Sequence, residues 1–230
     1  MKRASILVMA MAVMLNAGLW SCSGSNGSST ENSTVKWVDL DLPSGLLWAE
    51  CNLGATKPEE YGNYYAWGET QPKEVYNWST YCHSMVDSNG ELQSQTKYNT
   101  AEKYGTIDRL TTLQPVDDAA TSMLGNGARI PTAEDWRELI ANTTSEWTTV
   151  NGVRGYKFTA PNGNRLFLPA AGLRWDGSLY GAGSDGYYWS SSLITDYPYY
   201  AWYCYFCSGY VGMDNDYRLS GHTVRAVRQN

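Results

Sequence analysis

Short apolar and aromatic runs, separated by turns rich in Gly and Asn, recur along the chain from residue 37 onward. The clearest unit is residues 155–160, followed by a polar turn at 161–164 (PNGN) and by residues 165–168. Because Asn-Gly readily adopts the positive φ angles of a tight turn, this pattern predicts a β-hairpin. No boundary rich in Pro, Gly or Ser and no repeat of fixed period interrupts residues 37–230, so we expect them to form one domain.

Two segments have helical spacing instead. Residues 117–124 (DDAATSML) begin with acids, which favour the positive end of a helix, and stop before Gly125. Residues 133–142 (AEDWRELIAN) follow Thr132, which can cap a helix, and their apolar positions repeat at i, i+3 and i+4. These positions are Trp136, Leu139 and Ile140, and Asp135 can complete the cap. Two helices early and strands late predict an α+β fold in which long irregular loops cover the remainder.

The N-terminal segment has the pattern of an export signal. Lys2 and Arg3 precede an apolar run at residues 4–15 that is too short to span a bilayer. The sequence then reaches Cys22 directly after Ser21, which resembles the lipobox of bacterial lipoproteins. That resemblance implies a signal peptide at residues 1–21 and a lipid on Cys22. Cleavage near Ser21 that releases a soluble secreted protein is the alternative.

A flexible tether is expected to follow Cys22. Residues 23–34 (SGSNGSSTENST) contain too little apolar surface to order themselves, so we assign residues 22–36 to the lipidated cysteine and its linker. Residues 37–230 then form the folded domain. No later segment has the length of a transmembrane helix.

Composition narrows the classes of function. The 230 residues include 10 Trp and 18 Tyr but only 3 Phe and 2 His, and the formal net charge is −6. Without Lys2 and Arg3 the balance is about −8, which makes nucleic acid an unsuitable partner, because phosphate binding needs clustered Lys and Arg. Two histidines leave little room for histidine-based acid–base or metal chemistry. Tyr and Trp pack a ring while their polar group stays hydrated, so the composition favours a binding surface over an ordinary enzyme.

Six sequence blocks in fixed order carry a resemblance to a known family. They are 37–49 (WVDLDLPSGLLWA), 61–70 (YGNYYAWGET), 129–136 (RIPTAEDW), 166–172 (LFLPAAG), 188–192 (YWSSS) and 222–225 (HTVR). Together they resemble the Fibrobacter succinogenes major paralogous domain over nearly all of residues 37–228. The resemblance implies a C-type-lectin-like fold of the formylglycine-generating-enzyme variety, with two helices, a twisted antiparallel sheet and long loops. Such domains occur largely in lipoproteins and surface proteins of Bacteroidetes-type bacteria.

Residues 194–222 carry a second resemblance, to the variable region of proteins diversified by a retroelement that mutates the adenines of Asn codons. An ordinary divergent family member with no retroelement fits the sequence as well. The resemblance implies that these side chains are displayed to a ligand. The candidate ligand-binding residues are Asp196, Tyr197, Tyr199, Tyr200, Tyr203, Tyr205, Cys207, Tyr210, Asp214, Asp216, Tyr217 and His222.

Strand alternation supplies a physical argument for that display. If residues 201–207 form a strand, Trp202, Cys204 and Phe206 share one face, which suits a core. The alternate residues Tyr203, Tyr205 and Cys207 then share the other face. Tyrosine offers a large rigid contact area at low entropic cost, as in antibody paratopes. The alternative is that these tyrosines only cover the surface of the sheet and bind no ligand.

Several sequence motifs match known site patterns by residue type but do not predict the corresponding sites. Residues 181–186 (GAGSDG) match a dinucleotide fingerprint, but strand-like residues follow them, so we predict a turn. Cys204 and Cys207 would lie on opposite faces of a strand, and no histidine cluster completes a zinc site. Residues 214–216 are too short for a calcium loop, and no metal or other cofactor is expected. Cys51 and Cys82 can be either a disulfide or two buried thiols.

These observations predict a lipid-anchored protein of the cell envelope, most simply at the outer membrane, that binds a protein or glycan ligand through its C-terminal residues. Two alternatives remain. One is an oxidase similar to formylglycine-generating enzymes, although the sequence lacks the wider cysteine spacing and Arg-rich motif of that family. The other is a structural component of a surface fibre.

Overall fold

The computed structural model describes residues 35–230. The predicted signal peptide at residues 1–21, the lipidation site Cys22 and most of the predicted linker lie outside the described residues. Residues 35–230 combine helix and sheet, with sheet predominating, and they contain two α-helices and five small sheets. Neither of these two helices is both long and apolar enough to cross a bilayer.

The strands and helices have the following bounds. The strands are β1 (Trp37–Asp39), β2 (Leu46–Ala49), β3 (Tyr64–Tyr65), β4 (Ser84–Val86), β5 (Leu92–Gln95), β6 (Thr144–Val150), β7 (Val153–Thr159), β8 (Arg165–Pro169), β9 (Leu173–Trp175), β10 (Ser178–Tyr180), β11 (Asp185–Leu193), β12 (Tyr200–Cys207), β13 (Tyr210–Tyr217), β14 (His222–Thr223) and β15 (Val227–Gln229). The α-helices are α1 (Ala119–Leu124) and α2 (Ala133–Asn142), and single 3-10 turns occur at Trp78–Thr80, Glu102–Tyr104 and Pro115–Asp117.

The first and last strands of the domain lie in one sheet, in the order β1-β2-β15. Both neighbours run antiparallel to β2, with Trp37 opposite Ala49 and Val227 opposite Trp48. Because Trp48 is fully buried, this pairing ties both ends of the folded chain to the core. Residues 37–49 and 227–229 are therefore part of the structural frame.

The central sheet has the order β13-β12-β11-β14-β3. Its strands are antiparallel except where β14 runs parallel to β11. One face of this sheet packs against α2, and Trp136 and Leu139 from the helix share a core cluster with Tyr188, Cys204 and Phe206 from the sheet. This packing orients β11–β13 and leaves their other face for the candidate site.

The predicted hairpin is confirmed. Strands β7 and β8 pair with Thr159 opposite Arg165, and Gly163 in the connecting turn has a φ of 87°. The side-chain oxygen of Asn162 accepts a hydrogen bond of 2.9 Å from the backbone N–H of Asn164. The local turn chemistry therefore determined this element, as the sequence indicated.

The helix at residues 133–142 is also confirmed, together with its cap. The Thr132 hydroxyl accepts from the N–H of Asp135 at 3.1 Å, and the Asp135 carboxylate accepts from the N–H of Thr132 at 2.7 Å. Trp136 and Leu139 are buried, as their spacing predicted. The first helix begins at Ala119, two residues later than predicted, because Asp118 caps its N-terminus and residues 115–117 form a 3-10 turn.

The order of elements differs from the prediction of helices early and strands late. Five short strands, β1–β5, precede α1. Strands of two to four residues carry too few alternating positions to be distinguished from loops by pattern. The part of the sequence before α1 therefore contains five of the fifteen strands, and one of them, β3, belongs to the central sheet.

Candidate ligand-binding surface

Strands β11, β12 and β13 place a set of aromatic and acidic side chains on one face of the central sheet. In this antiparallel register Tyr205 lies opposite Tyr187, and Cys207 lies opposite both Asp185 and Tyr210. Residues that lie directly opposite each other project to the same side of a sheet. We call this surface the tyrosine face and define it as Asp185, Tyr187, Tyr203, Tyr205, Cys207, Tyr210, Asp214 and Asp216.

The rings of the tyrosine face form a continuous row. Tyr187 stacks on Tyr203 with centroids 5.5 Å apart and contacts Tyr205 at 5.3 Å. Tyr205 in turn contacts Tyr210 at 6.0 Å. Exposure rises along the row, from 6% at Tyr203 to 51% at Tyr210. The buried rings therefore support the outer rings and hold them in place.

Acidic groups flank these rings. The Tyr205 hydroxyl donates to Oδ1 of Asp185 at 2.8 Å, and Asp214 is exposed on the neighbouring strand. Burial, with the charges of Asp185 and Asp216, raises the pKa of Tyr187 to about 12. Its hydroxyl therefore remains protonated at neutral pH and can donate a hydrogen bond. Strands β11–β13 contain no Lys or Arg, so the face suits a neutral or cationic ligand and repels an anionic one.

Two predicted ligand-binding residues are buried, which contradicts the expected display of their side chains at the surface. Tyr203 is 6% exposed and belongs to a core cluster with Trp189 and Ala201. Both faces of β12 are covered at this point, whereas the alternation argument assumed that one face is open. Tyr203 supports the row from beneath and is not available as a contact.

His222 is also buried, with no exposed surface, although the sequence suggested a surface residue. Pairing of β14 with β11 and β3 places it inside the sheet, and its Nε2 atom lies 2.9 Å from Oδ2 of Asp216. Desolvation lowers the pKa of His222, and the hydrogen bond to Asp216 opposes that shift. The histidine therefore helps to position the Asp216 carboxylate instead of contacting a ligand.

The other predicted tyrosines form a second cluster. Tyr199, Tyr200 and Tyr217 contact one another, with Tyr200 and Tyr217 only 4.5 Å apart between centroids. Tyr104, from a segment that the sequence did not implicate, contacts Tyr199 at 5.2 Å. Tyr197 is half exposed beside this group. The predicted set is therefore divided between two clusters, and Asp196 lies exposed in the loop before β12.

A buried arginine holds the loop that carries the second cluster. Arg218 donates to the carbonyl of Pro198 at 2.8 Å, to the carbonyl of Lys97 at 3.0 Å and to the hydroxyl of Tyr81 at 2.8 Å. Its guanidinium also lies over the ring of Trp67 at 5.0 Å. Because its contacts to Lys97 and Tyr81 cross 121 and 137 positions of sequence, Arg218 gave no local signal of its positioning role.

Some residues of the tyrosine face could have been found from the sequence. Asp185, Tyr187 and Trp189 alternate along β11 in the same way that Tyr203 and Tyr205 alternate along β12. The turn predicted over residues 181–186 is confirmed for residues 181–184, whereas Asp185 and Gly186 already belong to β11. Applying the period of two to that strand would have assigned Asp185 and Tyr187 to a common face.

The cysteines differ in their surroundings. Cys204 is fully buried in the core that contacts α2, where burial raises the pKa of its thiol, and Cys207 lies half-buried on the tyrosine face. A buried thiol with a raised pKa is a poor nucleophile and a poor metal ligand.

Among residues 35–230, Cys51 is a free thiol, so the Cys51–Cys82 disulfide is not formed in the described structure. No group of three His, Cys, Asp or Glu side chains in that range is arranged to hold a metal ion.

No protein-family model, no curated protein and no solved structure matches the chain. The candidate surface therefore rests on its own geometry: a supported row of tyrosine rings that opens to solvent at Tyr210 and is lined by carboxylates.

Proposed function

We propose that this protein is a lipid-anchored binding protein of the cell envelope that uses the tyrosine face to hold a protein or glycan ligand. The observation that carries the proposal is the graded burial of the ring row. Tyr203 and Tyr187 support Tyr205 and Tyr210, so the outer rings lose little conformational entropy when a ligand covers them. The ligand would pack on the rings while the phenol hydroxyls and the acidic groups form hydrogen bonds.

The scaffold proposed for this surface is a C-type-lectin-like domain of the Fibrobacter succinogenes major paralogous family. Support comes from the six sequence blocks and from a sheet-rich architecture with two α-helices and long connecting loops. The proposed role of a retroelement concerns residues 194–222. All of the exposed or half-exposed candidates on β12 and β13 fall within that range, where variation would alter a ligand surface, although the range also contains buried Tyr203 and His222.

The fibre alternative has an observation against it at the sheet edge. Strand β13 is the outer strand of the central sheet, and two of its N–H groups are occupied by carboxylates. The N–H of Asn215 donates to Asp214 at 2.8 Å, and the N–H of Tyr217 donates to Asp216 at 2.7 Å. An edge whose donors are occupied, and which carries negative charge, resists pairing with another strand.

The binding proposal is tested by screening the purified protein against an array of glycans and an array of exported proteins. Each hit is then measured with Tyr210→Ala and Tyr205→Ala, which remove outer rings. Tyr180→Ala is the matched control, because Tyr180 is 54% exposed but lies on β10, outside the tyrosine face. We expect at least about tenfold weaker binding for the two face variants and no change for the control. Hits that bind all three variants equally, or the absence of any hit, would refute the proposal.

The anchor is tested separately by growing cells with a palmitate analogue that can be labelled. We expect the label on the wild-type protein and none on Cys22→Ser, with the variant released from the membrane fraction. Equal labelling of both proteins would exclude Cys22 as the lipid site. It would not contradict ligand binding by the tyrosine face.

A further inference from the structure

A concave site lies outside the tyrosine face. It is a cleft of about 380 Å³ between the 3-10 turn at Trp78–Thr80, the β4–β5 loop and the β9–β10 turn. We call it the tryptophan cleft, and the side chains that matter for its chemistry are Trp78, Trp175, Tyr217, Asn89, Glu91 and Asp176. Its volume is in the range of small-ligand pockets.

Aromatic rings form the walls of the cleft. The ring of Tyr217 lies 5.9 Å from Trp78 at an interplanar angle of 85°, and 5.8 Å from Trp175 at 59°. Both indoles are half-buried, so each keeps part of its surface open. The three rings are steeply inclined to one another and offer apolar surface to a ligand from more than one direction.

Polar groups occupy the remaining surface. Glu91 and Asp176 supply carboxylate oxygens, and Asn89 supplies an amide. No Lys or Arg is among the residues that line the cleft, so an anionic ligand would meet uncompensated negative charge. The combination of aromatic walls with acceptors and an amide suits a ligand that has apolar C–H faces and many hydroxyl donors.

Local hydrogen bonds hold two of the three framing segments together. Tyr76 and Asp176 exchange backbone hydrogen bonds of 2.8 and 3.0 Å, and the Asn77 amide donates to Asp176 at 3.1 Å. This contact fixes the β9–β10 turn against the 3-10 turn. The cleft is therefore formed before a ligand arrives, which lowers the entropic cost of binding.

The β4–β5 loop is fixed in a similar way. The Asp87 carboxylate accepts from the N–H of Asn89 at 2.8 Å and from the N–H of Glu91 at 2.9 Å. Gly90 packs so closely that an added Cβ would lie 2.5 Å from Oγ of Ser79. Asn89 and Glu91 are thereby held at the mouth of the cleft.

We propose that the tryptophan cleft binds a neutral oligosaccharide. The C–H face of a pyranose ring packs against Trp175 or Trp78, and its hydroxyl groups donate to Glu91 and Asp176. This site goes beyond the proposed function, because two of its three rings belong to neither the tyrosine face nor residues 194–222. A trimethylammonium group would also pack on the rings but would leave the amide without a partner.

The test uses isothermal titration calorimetry of the purified protein with cellotetraose, xylotetraose, mannotetraose, maltotetraose, laminaritetraose and chitotetraose at millimolar concentration. Choline chloride is titrated as the competing chemistry. We expect at least one saccharide to bind, with at least about tenfold loss in Trp175→Ala and a weaker loss in Glu91→Gln. Tyr180→Ala is the matched control, since Tyr180 lies in the same β9–β10 hairpin but does not line the cleft.

Three results would overturn this proposal. One is that no saccharide of the panel binds. Another is that choline binds and no saccharide does. The third is that saccharide binding survives in Trp175→Ala and Glu91→Gln but is lost in Tyr210→Ala, which would assign the sugar to the tyrosine face. Circular dichroism of each variant confirms that a loss of binding does not come from unfolding.

Discussion

The imidazole of His222 lies flat against the indole of Trp189, with the ring centroids 3.9 Å apart and the planes inclined by 19°. The same imidazole contacts Tyr203 at 4.8 Å and hydrogen-bonds to Asp216 at 2.9 Å. The buried support of the tyrosine face and one of its carboxylates are therefore linked through a single histidine. A histidine fully removed from water in this way contributes to structure and is inaccessible to a ligand.

That link predicts unequal roles for two neighbouring aspartates. Asp216→Ala removes the hydrogen-bond partner of buried His222 and should lower the free energy of unfolding by about 1–3 kcal/mol. Asp214→Ala is the control, because exposed Asp214 bonds only to a backbone N–H on its own strand, and its loss should cost less than about 1 kcal/mol. Urea denaturation measures both values. Equal losses in the two variants would contradict the link.

Close packing beneath the tyrosine face gives a second prediction. A Cβ at position 186 would lie 2.0 Å from the buried ring of Phe206, so Gly186→Ala should destabilise the domain by about 1–3 kcal/mol. Gly209→Ala is the matched control, since nothing lies within 4 Å of its Cβ position and its φ is not positive. We expect the control to be neutral or slightly stabilising. Thermal or urea unfolding that ranks Gly209→Ala as the more damaging change would refute this account of the packing.

The buried His83 predicts a pH dependence of stability. Burial and the nearby Arg218 charge lower the pKa of His83 from 6.5 to about 4, while its Nε2 lies 2.9 Å from the Gly68 carbonyl. Between these pH values the unfolded chain binds a proton that the folded chain does not. Stability from this group is therefore complete above pH 6.5 and falls as the pH decreases toward 4, by on the order of 3 kcal/mol.

His83→Gln isolates that contribution, because a glutamine amide can still donate to the Gly68 carbonyl but does not titrate. The variant should show a smaller fall in the free energy of unfolding between pH 6.5 and pH 4 than the wild type. His222, whose pKa is also lowered, remains in both proteins and contributes equally. Identical pH profiles for the two proteins would contradict the assignment.

Arg225 predicts a large effect from a conservative change. It is fully buried and donates to Oδ1 of Asn52 at 2.9 Å and to the carbonyls of Glu50 at 2.7 Å and Phe167 at 3.0 Å. A lysine cannot reproduce this planar fork, so Arg225→Lys should cost about 3 kcal/mol or more. Arg165→Lys is the control, since Arg165 is exposed at the start of β8, and we expect a change within about 0.5 kcal/mol. Similar denaturation midpoints for the two variants would show that the buried network is not required.

The elements that the sequence predicted best depend on neighbours in the chain. The hairpin around Asn162 and Gly163 and the capping box of Thr132 and Asp135 are formed within a few residues. Alternation along β12 correctly separated the core residues Cys204 and Phe206 from Tyr205 and Cys207. Trp202, assigned to the same core face, is only half-buried, and the Arg137 guanidinium lies 5.1 Å from its ring centroid.

The sequence by itself determined the elements whose hydrogen bonds and apolar spacing are local, the acidic balance of the domain and the concentration of tyrosine near its C-terminus. Only the tertiary structure decided which tyrosines meet solvent, that His222 is buried, and that Trp78 and Trp175 come within reach of Tyr217 to form a cleft. Burial depends on what covers a strand from distant parts of the chain, and such contacts leave no periodic pattern in the residues that they bring together.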